Sequence, residues 1–335
     1  MNWFRTAFVS LNLSSRNRSS FNMTSRLIDK VVPATSSGGP VSRLIGSVDI
    51  DGKGTSHALP EVDPFILLDL AQLNQHNRPP FGAHPHRGHS VVTLLLQGQM
   101  QSWDSFSNQH TTIKGPASYW VDAGTGVFHD ETSVIADESD PAQHIKLLQL
   151  WVGVKEADRQ KPARLQYDTD LPTTDLLDCE TSRKAGTVTH YVGEKTTIET
   201  PHPLVVFHVQ QNANTSVDLS IDPSHGGFIV MLSADDAAAT VQFGGTTSPL
   251  KQHDVLVLAN DVSTSSTVKA TTGDHSAEYM VCAGAKHGEA WVKKLVANGA
   301  IICATTEQAQ DVAPKVEAYA AAGKVEGGSF APFGS

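Results

Sequence analysis

The chain has 335 residues, enough for one large or two ordinary domains, and its hydrophobic (39%) and charged (18%) fractions are those of a globular protein. Its formal net charge of −10, without any lysine- and arginine-rich run, argues against direct binding of nucleic acid. No stretch of about 18 apolar residues is present, so we expect no membrane-spanning helix.

The first 28 residues are rich in arginine and serine and contain no acidic residue. This composition is typical of a mitochondrial or plastid transit peptide, and it lacks the apolar core of a secretory signal. Two alternatives stay open: an extension without any address, and initiation at Met23, which would leave a cytosolic form. We assign residues 1–40 to an N-terminal extension. The 3 cysteines are widely spaced without a CxxC pair, which favours a reducing compartment, the cytoplasm or nucleus.

The segment of residues 41–160 consists of short apolar runs broken by Gly, Pro, Asn and Asp. Runs such as Pro64–Leu70, Ser90–Leu96 and Ile145–Val154 have the length and aliphatic content of strands. Many short strands at close spacing indicate an antiparallel barrel or sandwich. We therefore predict one β-barrel in this segment.

Residues 161–185 are polar and contain several prolines, and we interpret them as a linker on the surface. Residues 186–335 are predicted to form a second β-barrel of similar size that ends in a short helix over Gln308–Gly323. The strands expected in this second unit are Leu204–Val209, Gly227–Leu232 and Asp254–Leu258. The fold class predicted for the whole chain is therefore all-β, with two barrels.

Two histidines stand two residues apart after a glycine turn, at His84 and His86. Residues two apart project to the same face of a strand, so both imidazoles can point into one barrel. His89 has the opposite parity, and we expect it to point away unless a bulge intervenes. An isolated HxH pair is more often a surface turn than half of a metal site.

A second pair, His129 and Glu131, follows another glycine turn 43 residues beyond His86 and again shares one strand face. Together the two pairs make a site of three imidazoles and one carboxylate. This ligand set suits Fe(II), Mn, Co, Ni, Cu or Zn. On an octahedral ion it would leave two positions open for a substrate or dioxygen.

These motifs resemble the pirin family of the cupin superfamily in both order and spacing. The likeness is strongest over residues 41–154 and is carried by Asp63-Pro-Phe-Ile-Leu-Leu-Asp69, His84-Pro-His-Arg-Gly88, Ala123-Gly-Thr-Gly126, His129-Asp-Glu131 and Leu148-Gln-Leu-Trp-Val152. The resemblance implies two cupin barrels, of which only the first binds a metal. It also implies a single iron held by His84, His86, His129 and Glu131.

The resemblance further implies quercetin 2,3-dioxygenase activity, in which dioxygen opens a flavonol. In that reaction Glu131 could accept the proton of the substrate's 3-hydroxyl as a general base. The alternative it implies is an iron-dependent, redox-sensing transcriptional co-regulator that binds transcription factors without catalysis. We expect a monomer in either case.

The sequence departs from the family pattern beside the first motif. Cupins often carry a glutamate shortly after the HxH pair, where this chain has Ser90, and Thr125 replaces an arginine between two glycines. Substrate preference is therefore open. Gln149 lies in an apolar strand and can be either a pocket wall or a hydrogen-bonded core residue. Arg87 can brace a carboxylate near the metal or form a surface salt bridge.

Overall fold

The computed structural model describes residues 28–32, 40–46, 61–77, 82–233, 241–244, 250–259 and 266–322. Apart from Ile28, the segment interpreted as a targeting peptide lies outside these residues. Strands are the main secondary structure of the described part, which confirms the predicted all-β fold class. It contains no helix that is long and apolar enough to cross a membrane.

The elements are β1 (Ile28–Val32), β2 (Val41–Ile45), β3 (Phe65–Leu73), β4 (His84–Arg87), β5 (His89–Gln97), β6 (Gln99–Asp104), β7 (His110–Lys114), β8 (Ala117–Asp122), β9 (Val127–Ser133), β10 (Ile145–Gly153), α1 (Glu156–Arg159), β11 (Arg164–Asp168), β12 (Thr173–Leu177), β13 (Lys184–Val192), β14 (Leu204–Gln211), β15 (Ser216–Ser220), β16 (His225–Ser233), β17 (Val241–Phe243), β18 (Val255–Leu258), β19 (Thr267–Thr272), β20 (Ala277–Ala285), β21 (Val292–Val296), β22 (Gly299–Cys303) and α2 (Thr306–Ala321). A single 3-10 turn covers Pro141–Gln143.

The strands form four sheets. Sheet I has the order β21-β22-β4-β9-β6-β7, and sheet II the order β11-β8-β5-β10-β3-β2. Sheet III runs β1-β18-β16-β20-β14-β13-β12, and the small sheet IV runs β15-β19-β17. Sheets I and II enclose the first barrel, and sheets III and IV enclose the second.

Sheets II and III also pack against each other, which joins the two barrels. In β5, Val91 and Leu95 face the interior of the first barrel, whereas Val92 and Leu94 face sheet III. Phe65 of β3 meets Phe228 of β16 edge to face, with 4.9 Å between ring centroids. Since both faces of these strands are buried, they read as continuous apolar runs instead of alternating patterns.

The expected linker is wrong in part, because two strands lie within residues 161–185. β11 pairs with β8 and extends sheet II, and β12 pairs with β13 and extends sheet III. Each strand continues an existing sheet edge, which satisfies backbone groups that a linker would leave to water.

The first and the last described strands each pair with a strand of the other barrel, in contrast to the predicted domain boundaries. Strand β1, from the expected N-terminal extension, pairs with β18 of the second barrel. Strand β22, from the expected second unit, pairs in parallel with β4 of the first barrel. The unit predicted as residues 186–335 therefore gives its last two strands to the first barrel, beside His86.

The C-terminal helix is present close to its predicted position. The Thr305 side chain caps it by accepting a hydrogen bond from the backbone N–H of Gln308 at 3.2 Å. Ala309, Ala313 and Val316 lie on one face and are buried against sheet I. The predicted end at Gly323 lies outside the described residues.

Gly299 is where β22 passes closest to β4. A methyl group added there would lie 1.8 Å from the carbonyl oxygen of Pro85. We expect Gly299→Ala to push the two strands apart and to lower the free energy of unfolding by roughly 1–3 kcal/mol. Urea denaturation measures this loss, and hydrogen exchange should show faster exchange of the β4 and β22 amides.

Gly288→Ala is the matched control. Gly288 has φ +66°, and an added Cβ would meet nothing within 4 Å, so the variant carries backbone strain without the clash. It should leave exchange in β4 unchanged. Unchanged protection of β4 in Gly299→Ala would contradict the close approach.

Candidate metal centre

The β4–β9 ladder brings the two sequence motifs together. In this antiparallel pair His84 stands directly opposite His129, and His86 stands opposite Val127. His84 and His86 are two residues apart and share a strand face, and the side chain of His129 comes to the same face from the neighbouring strand. The predicted meeting of three imidazoles is therefore found.

The three rings are close enough to share one ion. One potential ligand nitrogen from each of His84, His86 and His129 lies within 4.8 Å of the others. The Nε2 atoms of His84 and His129 are 3.2 Å apart. The ring centroids are 4.6–4.8 Å apart, and the rings meet edge to face.

Burial keeps these imidazoles neutral. The pKa values of His86 and His129 lie well below the ordinary histidine value, because burial disfavours the charged form and neighbouring histidines repel a second charge. The pKa of His84 is also lowered by burial. Neutral imidazoles offer lone pairs to a cation.

Two buried nitrogens of the cluster have no hydrogen-bond partner among the described residues: Nε2 of His86 and Nδ1 of His129. The Nδ1 atom of His84 lies 2.7 Å from the carbonyl oxygen of Gly82, which fixes the proton on that nitrogen and leaves Nε2 with its lone pair. The close approach of the Nε2 atoms of His84 and His129, together with the orphaned buried nitrogens, is a donor set that a transition-metal ion would satisfy.

Glu131 is not part of this close group. Its carboxylate accepts a hydrogen bond from the hydroxyl of Thr93 at 2.5 Å. The group whose ligand atoms approach one another contains only the three histidines among the described residues. The role of Glu131 as a fourth ligand therefore stays a prediction.

Glu131 can exchange a proton near neutral pH. Burial raises the pKa of its carboxyl from 4.5 to about 7, and the hydrogen bond from Thr93 opposes part of this rise. Oε1 of Gln149 lies 3.0 Å from the Thr93 hydroxyl. When Glu131 is protonated it can donate to Thr93, whose own proton is then free to bond to Gln149.

The orientation predicted for His89 is wrong. The ring of His89 is fully buried, and its Nε2 lies 3.2 Å from Nδ1 of His86. Gly88 adopts φ +76° between β4 and β5, so the strand alternation restarts after it. The glycine itself was the available signal, since a glycine inside a strand pattern often marks such a break.

The same change in strand alternation turns Ser90 away from the face that carries the histidines. Its hydroxyl donates to Oδ1 of Asp122 at 2.7 Å, on the face of sheet II that packs towards the second barrel. The departure from the family pattern at Ser90 therefore does not alter the wall beside the histidines. Arg87 is buried and forms no salt bridge with another described residue; its Nη1 lies 3.9 Å from Sγ of Cys303.

A cavity of about 390 Å³ opens beside His84. His84, Glu131 and Gln149 lie on its wall, so the pocket-wall interpretation of Gln149 is consistent with its position. Much of the remaining lining is apolar and comes from strands of the first barrel and from the hairpin of β21 and β22: Ala71, Leu73, Met100, Leu147, Trp151 and Leu295.

A polar row crosses the inner face of sheet II along one side of this cavity. The register places Arg43 opposite Asp69, Asp69 opposite Gln149, and Gln149 opposite Thr93. Arg43 and Asp69 form a two-pronged ion pair, with Nη2 of the arginine 2.9 Å from Oδ2 of the aspartate. Hydrogen-bonding groups thus line one side of an otherwise apolar pocket.

The fold and the site define a protein of two cupin barrels with a candidate histidine metal centre in the first barrel. Residues 48–152 match the family model described as Pirin. The first barrel of this chain thus carries a pirin domain, and the resemblance drawn from the sequence motifs is confirmed.

Curated relatives agree with this family. A Pseudomonas aeruginosa protein named "Putative quercetin 2,3-dioxygenase" is 30% identical over 51% of this chain and 61% of its own length. A "Pirin-like protein" of Solanum lycopersicum is 27% identical over 60% of this chain and 64% of its own length. The chain therefore spans a little under two thirds of the length of these relatives.

Solved structures share the fold. A quercetin 2,3-dioxygenase from Acinetobacter baumannii superposes with a TM-score of 0.67 at 22% identity, covering 91% of this chain and 100% of the other. The bacterial pirin YhhW from Escherichia coli, solved in complex with nickel(II), superposes with a TM-score of 0.50 at 13% identity, covering 78% and 97%. At these identities the likeness establishes the two-barrel fold.

The pKa of Glu131 makes a prediction for the metal-free protein. Folding raises this pKa from 4.5 to about 7, so the folded state holds the proton more tightly, and stability is lost as pH rises through this window. At about 1.4 kcal/mol per pKa unit the loss is on the order of 3 kcal/mol. The glutamine in Glu131→Gln cannot ionise, so this variant should not lose stability in this way as pH rises.

Urea denaturation of both proteins with chelator, from pH 5 to pH 8, measures this difference. The variant should become progressively more stable than the wild type as pH rises. The buried histidines contribute equally to both proteins and cancel. A difference in stability that stays constant across this range would contradict the assigned pKa.

Proposed function

We propose that the protein is a metal-dependent dioxygenase of the quercetin 2,3-dioxygenase type, which opens a flavonol with dioxygen. The observation that carries the proposal is the trio of neutral imidazoles beside a largely apolar cavity. The names of the Pseudomonas relative and of the Acinetobacter structure support this choice of chemistry.

His84, His86 and His129 would hold the metal, with Glu131 as the proposed fourth ligand. Fe(II) is our proposal for the ion; the nitrogen and oxygen donors also suit Mn, Co, Ni, Cu or Zn. The nickel in the structure of the E. coli pirin supports a site that accepts divalent ions. When bound, such a metal acts as a Lewis acid on a substrate hydroxyl and orients the substrate towards dioxygen.

The cavity suits a flat aromatic molecule that carries several hydroxyl groups. Apolar side chains such as Leu147 and Trp151 can contact ring faces, while Arg43, Asp69 and Gln149 offer hydrogen bonds along one edge. Pockets for small molecules usually combine apolar walls with a few placed polar groups. A flavonol has this combination of rings and hydroxyls.

Glu131 is the proposed catalytic residue. Its carboxylate faces the cavity, and a pKa of about 7 lets it take a proton from a substrate hydroxyl at neutral pH. The Thr93 hydroxyl donates to the carboxylate at 2.5 Å, and Oε1 of Gln149 lies 3.0 Å from the same hydroxyl. Proton acceptance by Glu131 leaves the substrate oxygen negatively charged beside the three histidines.

Protein loaded anaerobically with Fe(II) should consume a flavonol and dioxygen together, in equal amounts. The double variant His84→Ala/His129→Ala should lose stoichiometric iron and at least ~100-fold of the oxygen uptake, because two of the three imidazoles are gone. Oxygen electrode traces, absorbance of the flavonol and metal analysis of the protein measure these effects on a panel of flavonols.

His275→Ala serves as the control, since His275 is exposed and lies in the second barrel. It should keep both iron and turnover. Oxygen uptake that survives in the double variant would overturn the site assignment. Iron binding without oxygen uptake on any flavonol would overturn the dioxygenase proposal and favour the non-enzymatic regulator, whose partner would be a transcription factor.

A further inference from the structure

We propose that His89 is a positioning residue that fixes the ring tautomer of His86, so that Nε2 of His86 presents its lone pair to the metal centre. This inference rests on the three-histidine site of the proposed function and adds a fourth imidazole to it. It follows from a chain of three hydrogen-bonding groups: the Arg87 carbonyl, the His89 ring and the His86 ring.

This series of hydrogen bonds starts at the Arg87 carbonyl, a group that can only accept a hydrogen bond. Nδ1 of His89 lies 3.0 Å from the backbone carbonyl oxygen of Arg87. A carbonyl oxygen has no proton to give, so Nδ1 of His89 must carry one. The ring is fully buried, and burial without a compensating partner disfavours a charged ring. His89 is then neutral, and its Nε2 is an acceptor.

The next step orients His86. Nε2 of His89 lies 3.2 Å from Nδ1 of His86. An acceptor at this distance requires the His86 proton on Nδ1. A neutral imidazole has one proton, so Nε2 of His86 is left with its lone pair. That atom is buried and has no hydrogen-bond partner among the described residues, and His86 belongs to the group whose ligand nitrogens approach those of His84 and His129.

His84 reaches the same state by a shorter route. Its Nδ1 contacts the Gly82 carbonyl directly at 2.7 Å, whereas His86 reaches the Arg87 carbonyl only through His89. In both cases a backbone carbonyl is the final acceptor. Partners of this kind set the tautomer and raise the basicity of ligating histidines.

The backbone and a neighbouring ring hold His89 in this position. Gly88 turns the chain with φ +76°, and a Cβ there would lie 2.2 Å from the carbonyl oxygen of Ile302 in β22. Trp151 contacts both rings, with centroids 5.0 Å from His89 and 5.1 Å from His86. Both nitrogens of His89 face a protein partner, and His89 is not in the group that shares ligand atoms, so it positions a ligand and is not one itself.

Two variants separate the hydrogen bond from packing. His89→Phe keeps an aromatic ring against Trp151 but removes the acceptor. His89→Gln restores an acceptor through its amide oxygen. Long-range ¹H–¹⁵N spectra of histidine-labelled, metal-free protein report which nitrogen of each ring carries the proton. The wild type should show both His86 and His89 as Nδ1–H tautomers.

Co(II) titration of the metal-free protein gives the second readout. His89→Phe should bind Co(II) about 10–100-fold more weakly and change its visible spectrum, and His89→Gln should recover most of the affinity. An Nε2–H tautomer of His86 in the wild type would overturn the inference without any variant. So would unchanged Co(II) affinity and spectrum in His89→Phe.

The outcomes are distinct from those that test the proposed function. Wild-type protein that binds Co(II) through His86, with weaker binding in His89→Phe, supports the role of His89 even if no flavonol is oxidised. Wild-type protein that binds no Co(II) overturns both the metal centre and the role of His89.

Discussion

Three imidazole rings are held together where their charged forms are disfavoured, and the rest of the first barrel is arranged around that constraint. Burial lowers the pKa values of His86 and His129 and keeps the rings neutral, so that they can offer lone pairs to a cation. The β4–β9 ladder fixes the approach of His84 and His129. Strand β22 pairs with the other edge of β4, and helix α2 packs against sheet I.

The cavity beside the histidines has two distinct kinds of wall. Sheet II supplies a polar row whose members stand opposite one another across adjacent strands, ending at the Thr93 hydroxyl that holds Glu131. Leu147 and Trp151, which lie two residues to either side of Gln149 on β10 and share its face, form part of the apolar wall. Because both sets project from the same rigid sheet, the position of the polar groups relative to the histidines depends on strand register and not on loops.

Local pattern was enough to predict strands such as β5, β10 and β16, the C-terminal helix and the meeting of the three histidines, because spacing along a strand determines which side chains share a face. It failed at His89, where one left-handed glycine restarts the alternation and reverses every orientation that follows. It also could not reveal that β22 pairs with β4. Parallel pairing between segments more than 200 residues apart leaves no local signal, since the apolar run of β22 is satisfied equally by any sheet edge.

The exchange of strands between the barrels has a consequence for how the molecule is made. During synthesis the ribosome releases β4 and β9 long before β22, so the edge of β4 stays unpaired until almost the whole chain has emerged. The part of the sequence that carries the family signature, residues 48–152, thus lacks one flank of its own binding pocket. The wall that Leu295 and Gly299 add to this cavity is therefore synthesised only after the second barrel.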